Sequence, residues 1–418
     1  MDWARWSGRP SSGGVALTEL KLDLLQTLSL GAVVYFIGIQ LRIRIRWLDQ
    51  LNIPAAVIGG LLFTTLVLLL RQQSITIQLD TSMQATLSVA FFTSIGMGAS
   101  LALLRAGGLQ VLVFLLFASA FCLVQNFSGM WIAHLFGENP LLGVMAGSVT
   151  LVGGPATGLA FAPIFEQAGL RGAGALALTS ATAGIVCGGL VGGPVGTSLI
   201  RRYRLAPESG SRSELKAELS TSPETLVVEV DREDSSLVRN LVVLALAMGL
   251  GSIVSGYIQS LGVTLPAYIG AMVVASLIRN VDDTTHWFGI DERTMEFVGN
   301  LALNIFLVVA LMNLKLWELA HLALPLSVIL VVQVVVVLVF ALTASFRLMG
   351  RDYDSAVMAS GFVGFVLGTT ANAVANMRAL VVRFGPAPRA FLVVPLVGAF
   401  FIDFTNALII TLFVNWLK

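Results

Sequence analysis

The sequence predicts an all-α polytopic membrane protein made of two inverted-topology repeats, each with five transmembrane helices and one re-entrant hairpin. Three observations lead there. Of 418 residues, 56% are hydrophobic and only 12% charged, with a mean hydropathy of +0.87. A soluble domain carries about 25% charged residues, so this chain has roughly half the charge needed to form a water-facing surface. Apolar runs of spanning length recur along it, and two of them are interrupted by Gly, Pro, Thr and Asn at places about 213 residues apart. A net charge of +1 offers no footprint for nucleic acid, and two cysteines, Cys122 and Cys187, offer neither a disulfide framework nor a Cys-rich metal site.

A bilayer core of about 30 Å takes roughly 20 mainly apolar residues as helix. That criterion places spans at about 22–41, 53–70, 84–104, 109–133 and 175–200 in the first half. In the second half they fall at about 237–260, 265–279, 296–314, 321–346 and 390–416. The stretches at about 141–165 and 353–380 are too broken for plain spans and read as re-entrant hairpins. Unpaired backbone groups cost several kcal/mol in lipid, so a polar break at membrane depth implies protein or water around it.

Arginines cluster after alternate spans: Arg42, Arg44 and Arg46, then Arg105, then Arg201, Arg202 and Arg204. The corresponding ends of the second half carry Arg279, Arg293, Arg347, Arg351, Arg383 and Arg389, whereas the opposite ends hold only Arg71, Arg171, Lys315 and Lys418. The positive-inside rule puts the Arg-rich ends in the cytoplasm and both termini outside. Domain organisation follows: a disordered tail over 1–20, a first repeat over 21–204, a polar cytoplasmic linker over 205–236 and a second repeat over 237–418.

The repeat is weak but ordered. Asn52 to Gly59 (NIPAAVIG) resembles Thr264 to Gly270 (TLPAYIG), with Pro54 and Pro266 in register, and Val144-Met145-Ala146 resembles Val357-Met358-Ala359. Pro155-Ala156-Thr157 falls at the same offset as Gly368-Thr369-Thr370. Five spans are an odd number, so the second unit sits upside down relative to the first. Interrupted segments in corresponding positions of inverted repeats mark the binding site of a secondary transporter. Small residues also permit plain helix packing, which explains glycines such as Gly188-Gly189 and Gly192-Gly193 but not the coincidence with the repeat.

The first tip, Thr150 to Gly158 (TLVGGPATG), lets backbone amides approach a ligand closely. A helix resuming there points free N–H groups and about half a positive charge at it, enough to hold a carboxylate without an arginine. The second tip, Gly364 to Asn376, adds Thr369, Thr370, Asn372 and Asn376. Two facing tips suit a substrate with two carboxylates, or one carboxylate plus sodium ions. Oxygen donors for sodium near mid-span are Ser94, Gln125, Asn126, Asn300, Asn304 and Asn406, each of which can equally serve as an interhelical hydrogen bond. Asp403, near the middle of the last span, stands apart: a lone acid there costs about 2.5–3.5 kcal/mol, so a role with a substrate ammonium, a sodium ion or a proton is the default. Arg378 either snorkels to the surface or reaches a substrate carboxylate. Enzyme motifs such as H-E-x-x-H and G-x-S-x-G are missing, and polar residues gather at two breaks instead of forming the stripe of a channel.

These residues carry a family pattern. FFTSIGMGASLALLRAGG at 91–108, SVTLVGGPATG at 148–158, GGLVGGPV at 188–195, LMNLKLWELAHLALPL at 311–326, ANMRALVVRFGP at 375–386 and AFLVVPLVGAFFIDFTNALI at 390–409 resemble the bacterial sodium/glutamate symporter family. The resemblance implies sodium-coupled uptake of L-glutamate across the inner membrane, Na+ as coupling ion with no organic cofactor, and a homodimer in which a hairpin-bearing domain moves like an elevator against a scaffold. It carries substrate-binding roles onto Gly153, Gly154, Thr157 and Gly158 of the first tip and onto Gly368, Thr369 and Thr370 of the second, and it matches Asp403 and Asn406 in the last span. With Asn372, these tip residues and Asp403 form the expected substrate site; Ser94, Asn304, Asn376, Asp403 and Asn406 form the expected sodium ligands. One departure concerns the substrate. Gly-Gly-Pro-Ala-Thr-Gly stands where the glutamate carriers have Gly-Gly-His-Gly-Thr-Gly, so Pro155 removes an N–H donor and Ala156 replaces a flexible glycine. Another dicarboxylate or amino acid, or less readily proton-coupled antiport, remains an alternative reading.

Overall fold

A computed structural model of the protein describes residues 18–51, 53–72, 75–207, 233–315 and 322–417. The fold is helical, as expected. Its helices are α1 (Leu24–Arg44), α2 (Arg46–Gln50), α3 (Ala55–Gln72), α4 (Ser82–Gly98), α5 (Leu101–Ala106), α6 (Gly108–Leu135), α7 (Pro140–Val144), α8 (Gly154–Gln167) and α9 (Ala173–Tyr203). In the second half come α10 (Glu233–Ser260), α11 (Ala267–Thr285), α12 (Glu292–Met312), α13 (Ala323–Phe340), α14 (Phe346–Leu348), α15 (Tyr353–Leu367), α16 (Thr370–Phe384), α17 (Pro388–Leu396) and α18 (Ile402–Leu417). Among the described residues, π turns interrupt this run at Ala341–Ser345 and Val397–Phe401, and a kink interrupts it within Met145–Val149.

Among the described residues, six helical segments are long and apolar enough to cross a bilayer: Leu24–Arg44, Gly108–Leu135, Ala173–Tyr203, Leu237–Ser260, Glu292–Met312 and Ala323–Leu348. Their outward faces expose large side chains such as Phe36, Leu116, Trp131, Leu246 and Ile253, a surface suited to lipid. The remaining expected spans need correction in detail. The third, expected over 84–104, stops at Gly98; Ala99 and Ser100 leave the helix, and Ser100 caps the separate α5. Asn280 and Asp283 of α11 hold this break, through Asn280 Nδ2 to Ala99 O at 3.0 Å and Ser100 Oγ to Asp283 Oδ2 at 2.5 Å. The span expected at 265–279 continues to Thr285, and that at 390–416 is opened by the π turn after Pro395.

The helical fold carries one small addition, a parallel pair of strands, β1 (Thr18–Lys21) with β2 (Ile75–Gln78). Residues 18–20, assigned to the tail by sequence, therefore belong to β1, while 1–17 lie outside the described residues. Of the linker expected at 205–236, residues 208–232 also lie outside them.

Packing sorts the helices into two bodies. In the first, α1, α3 and α4 pack with α10, α11 and α12. In the second, α6, α9 and α13 pack with the broken helices α7–α8 and α15–α16 and with α17–α18. Both halves of the chain contribute to each body in the same order. Helix starts recur accordingly: Ala55 and Ala267 are 212 residues apart, and Pro140 and Tyr353 are 213 apart. Close approach recurs too. A Cβ on Gly59 would lie 2.2 Å from Val34 O, and one on Gly270 would lie 2.4 Å from Gly251 O, so glycine lets the first two long helices of each half meet backbone to backbone.

Candidate functional site

Each broken helix owes its break to local sequence. Asn139 caps α7 through its side chain to Leu141 N, with Pro140 in the first turn where no N–H is needed. The helix then kinks within 145–149, where Gly147 leaves helical geometry at φ −101° and ψ −130°, and it ends at Val152-Gly153. Gly154 opens α8 at φ +68°, a left-handed value that suits glycine. Pro155 then occupies the first turn, where its missing N–H costs little. In the second break, Asp352 caps α15, the chain turns at Gly368, and Thr369 caps α16 by accepting from Asn372 N at 3.4 Å.

The two breaks face one another: a methyl on Gly154 would lie 3.9 Å from Gly368 O and 4.0 Å from Thr369 Cγ2. First-turn N–H groups of α8 and α16 lack intrahelical acceptors, Pro155 excepted, so both helix starts are positive poles at the meeting point. Gly153 and Gly158 fit tightly instead of lining open space; a Cβ on them would meet Thr157 Cβ at 2.5 Å and Ala177 Cβ at 2.8 Å. Thr157 is buried beside them.

The last helix connects both breaks. Asn406 Nδ2 donates to Ser148 O at 2.9 Å, at the approach to the first break. Thr370 Oγ1 donates to Gly398 O at 2.7 Å, from the second. Asp403 lies along the chain between these anchors, half-buried, with no hydrogen bond or ion pair among the described residues.

Buried amides complete the second body. Ser148 N donates to Asn126 Oδ1 at 2.9 Å. Asn372 Nδ2 and Asn376 Nδ2 donate to Ile185 O at 2.8 Å and Gly188 O at 2.9 Å, both on α9. Gln125 Nε2 donates to Val366 O at 3.1 Å, and Gln333 Nε2 donates to Gln125 O at 2.7 Å. The nitrogens of Gln125, Gln333, Asn372 and Asn376 are each committed to a carbonyl, which fixes the orientation of those four amides. The oxygens Gln125 Oε1, Gln333 Oε1, Asn372 Oδ1 and Asn406 Oδ1 are left buried without a partner, as are Ser148 Oγ and Asn126 Nδ2. Acceptors thus outnumber donors around the breaks, a composition suited to cations.

Sequence reasoning found part of this. The tip glycines and threonines, Asn372, Asn376 and Asn406 all lie at or against the breaks. Ser94 and Asn304 do not join them: Ser94 Oγ donates to Phe91 O and packs against Gly299, and Asn304 Nδ2 donates back to Asn300 O. Neither bonds a tip residue, because both belong to the α4–α12 packing of the first body. Arg378 is exposed and has no ion pair among the described residues. Ser148 and Gln333 were missed; the first lies in the small-polar run Ala146-Gly147-Ser148, and the second is a single amide in an unbroken apolar run. Missed too was Tyr268, whose buried hydroxyl is unpartnered and whose ring stacks on Phe92 at 4.1 Å and meets Phe161 of α8 edge-on at 5.6 Å.

Clefts run between the bodies beside α8. One, of about 340 Å³, is lined by Ser88, Tyr268, Phe306 and Ala160. Its neighbour, of about 700 Å³, shares Thr81, Gln84, Leu159 and Pro163 and opens past Glu166, Arg171, Asn313 and Lys315.

Fold and site define a polytopic helical membrane protein whose polar centre is assembled where two broken helices meet. Residues 20–386 match the sodium/glutamate symporter family. The sodium/glutamate symporter of Escherichia coli (strain K12) is 39% identical over 396 residues, covering 94% of this chain and 97% of that protein. The sodium/glutamate symporter of Haemophilus influenzae is 36% identical over 388 residues, covering 91% of this chain and 95% of its own length. The chain belongs to the sodium/glutamate symporter family.

Proposed function

We propose that the protein takes up L-glutamate together with sodium across the bacterial inner membrane by alternating access. The observation that carries this reading is the meeting of two helix starts at Gly154 and Thr369 within a body rich in unpartnered buried oxygens. Helix starts attract carboxylates, whereas amide and hydroxyl oxygens replace the water around sodium. In this reading the tip residues Gly153, Gly154, Thr157, Gly158, Gly368, Thr369, Thr370 and Asn372 form the substrate site, where backbone N–H groups of the two helix starts hold the carboxylates and the tightly packed Gly153 and Gly158 shape the first tip. Asp403 serves the substrate ammonium or a sodium ion, and Asn376 and Asn406 contribute to sodium binding. No organic cofactor takes part.

The broken helices are re-entrant hairpins of two inverted repeats, each with five spans, and the second body moves in an elevator-like way against the first. Recurring helix starts and the two-body packing support that description. We place both termini outside and the 205–236 linker in the cytoplasm, and we assign the first body to the contact of a homodimer. The membrane potential contributes about 2.3 kcal/mol per 100 mV for each net charge carried inward.

Uptake of labelled glutamate into proteoliposomes tests the proposal. It should collapse when external sodium is replaced by potassium; equal uptake in both would overturn the coupling. Pro155 and Ala156 at the first tip favour one second reading, the same machine carrying another dicarboxylate or amino acid. Competition by an unlabelled substrate panel separates the two.

A further inference from the structure

The most apolar of the described spanning helices, α13, carries Gln333 with no other polar side chain between Ser327 and Thr343. Gln333 is fully buried, as is Gln125 on α6. Placing one amide in such a run is costly in a membrane, and the hydrogen bond it gains returns only part of that cost. Gln333 gives its nitrogen to Gln125 O, and Gln125 gives its own to Val366 O. Flipping either amide would set oxygen against oxygen, so both Oε1 atoms stay unpartnered. Val366 lies in the last turn of α15, whose final carbonyls have no helical partner and form the negative pole of that helix.

Two unpartnered amide oxygens beside a helix carbonyl end, with neither glutamine nitrogen left free, match a monovalent alkali cation; a divalent ion calls for acidic ligands. Adjacent positions on α6 serve the two breaks separately, since Asn126 bonds Ser148 of the first and Gln125 bonds Val366 of the second. We propose that Gln125 and Gln333, with the carbonyl end of α15, form a sodium site behind the second break, separate from the Asn126–Ser148–Asn406 cluster. The inference rests on sodium coupling, and it assigns to the second break an ion of its own.

The test is the unfolding midpoint of the purified full-length protein, titrated with sodium against choline at constant ionic strength and without glutamate. Sodium should raise the midpoint of the wild type. Gln333→Leu should need about tenfold more sodium for half the effect, the scale of loss when a supporting group of a metal site is removed. Gln333→Glu exchanges the donor for an oxygen opposite Gln125 O, a repulsion that a bound cation relieves, and should need less sodium than wild type. A sodium dependence of Gln333→Leu that superimposes on wild type overturns the site and leaves the two oxygens to a buried water. Should that variant not fold, an unchanged sodium requirement in Gln333→Glu overturns it equally. A sodium effect that follows these variants in a protein without glutamate uptake supports the site while removing glutamate as the substrate.

Discussion

Asn406 Nδ2 lies 2.9 Å from the carbonyl oxygen of Ser148, so the last helix grips the first break from outside its own hairpin. The same contact leaves Asn406 Oδ1 buried and unpartnered. Structure and transport should therefore respond differently to its loss. An interhelical side-chain hydrogen bond in a membrane averages about 0.6 kcal/mol, so Asn406→Ala should lower the unfolding midpoint only slightly. Initial uptake rates should fall by about tenfold or more, because a donor that positions the break and a buried, unpartnered oxygen beside it vanish together. Both quantities measured on one preparation decide this. Equal, small losses in each would make Asn406 a packing residue.

Asp403 lies between Gly398 and Asn406, the two residues through which the last helix holds the second and first breaks. Its carboxylate has no protein partner among the described residues, so removing it leaves no buried charge behind. Asp403→Asn keeps the shape and should fold and express normally. Uptake at low sodium should drop by about tenfold, the effect of losing roughly 1.4 kcal/mol of ion or substrate binding. Wild-type transport at every sodium concentration would remove Asp403 from the site.

Much of this arrangement is legible in the sequence, for identifiable reasons. A break in a membrane helix requires small or polar residues, so Gly153, Gly154, Gly368 and Thr369 stand out against an apolar background. The repeat points to the same places through spacing alone. What stays hidden depends on helix phase and distance in three dimensions. Ser94 and Asn406 look alike as polar residues within spans, yet one bonds back within its own helix and the other reaches Ser148. Gln333 gives no sign of its partner Gln125, which lies 208 residues away. The ending of the third span at Gly98 depends on Asn280 and Asp283, which no local pattern near Ala99 reveals.

Two glycine substitutions should separate site from scaffold. A Cβ on Gly154 has nothing nearer than 3.9 Å, but φ is +68°, so Gly154→Ala should cost about 1–2 kcal/mol in backbone strain and narrow the gap between the breaks. A Cβ on Gly59, in the first body, would lie 2.2 Å from Val34 O. Gly59→Ala should therefore cost about 1–3 kcal/mol by overpacking. Uptake per folded molecule should fall for Gly154→Ala, and the yield of folded protein should fall for Gly59→Ala. The reverse pattern would reassign both positions.

Asp291 precedes α12 and caps it, accepting from Thr294 Oγ1 at 2.5 Å and Thr294 N at 2.9 Å. The Thr294 hydroxyl, aided by the Thr294 and Arg293 N–H groups and the Arg293 charge, lowers its carboxyl below the usual range against the opposing effect of burial. A depressed carboxyl stabilises the fold above the unfolded value near 3.8 and loses that contribution as pH falls through the folded one. Asp291→Asn keeps a cap oxygen and loses the charge. Wild type should be the more stable at pH 7, with the difference in unfolding midpoint shrinking below about pH 4. A difference independent of pH would mean that the cap acts without its charge.

The cleft of about 700 Å³ brings Arg171 at the foot of α9 and Lys315 after α12 to one opening, with Glu166 the acid beside them. Its inner wall reaches Leu159, five residues from the start of α8 at Gly154. Arg171 forms no ion pair among the described residues, so its charge is available to an arriving anion. At such an exposed opening the attraction is screened over about 10 Å at 0.1 M salt, and it acts on encounter more than on the bound state. Arg171→Gln should raise the KM for glutamate several-fold at low ionic strength and leave kcat unchanged. Arg171→Lys should restore KM. At about 1 M salt, with the screening length near 3 Å, all three proteins should share one KM. A KM difference that persists at high salt would place Arg171 in direct contact with bound substrate instead, and a change in kcat alone would tie it to the movement of α8 and α9.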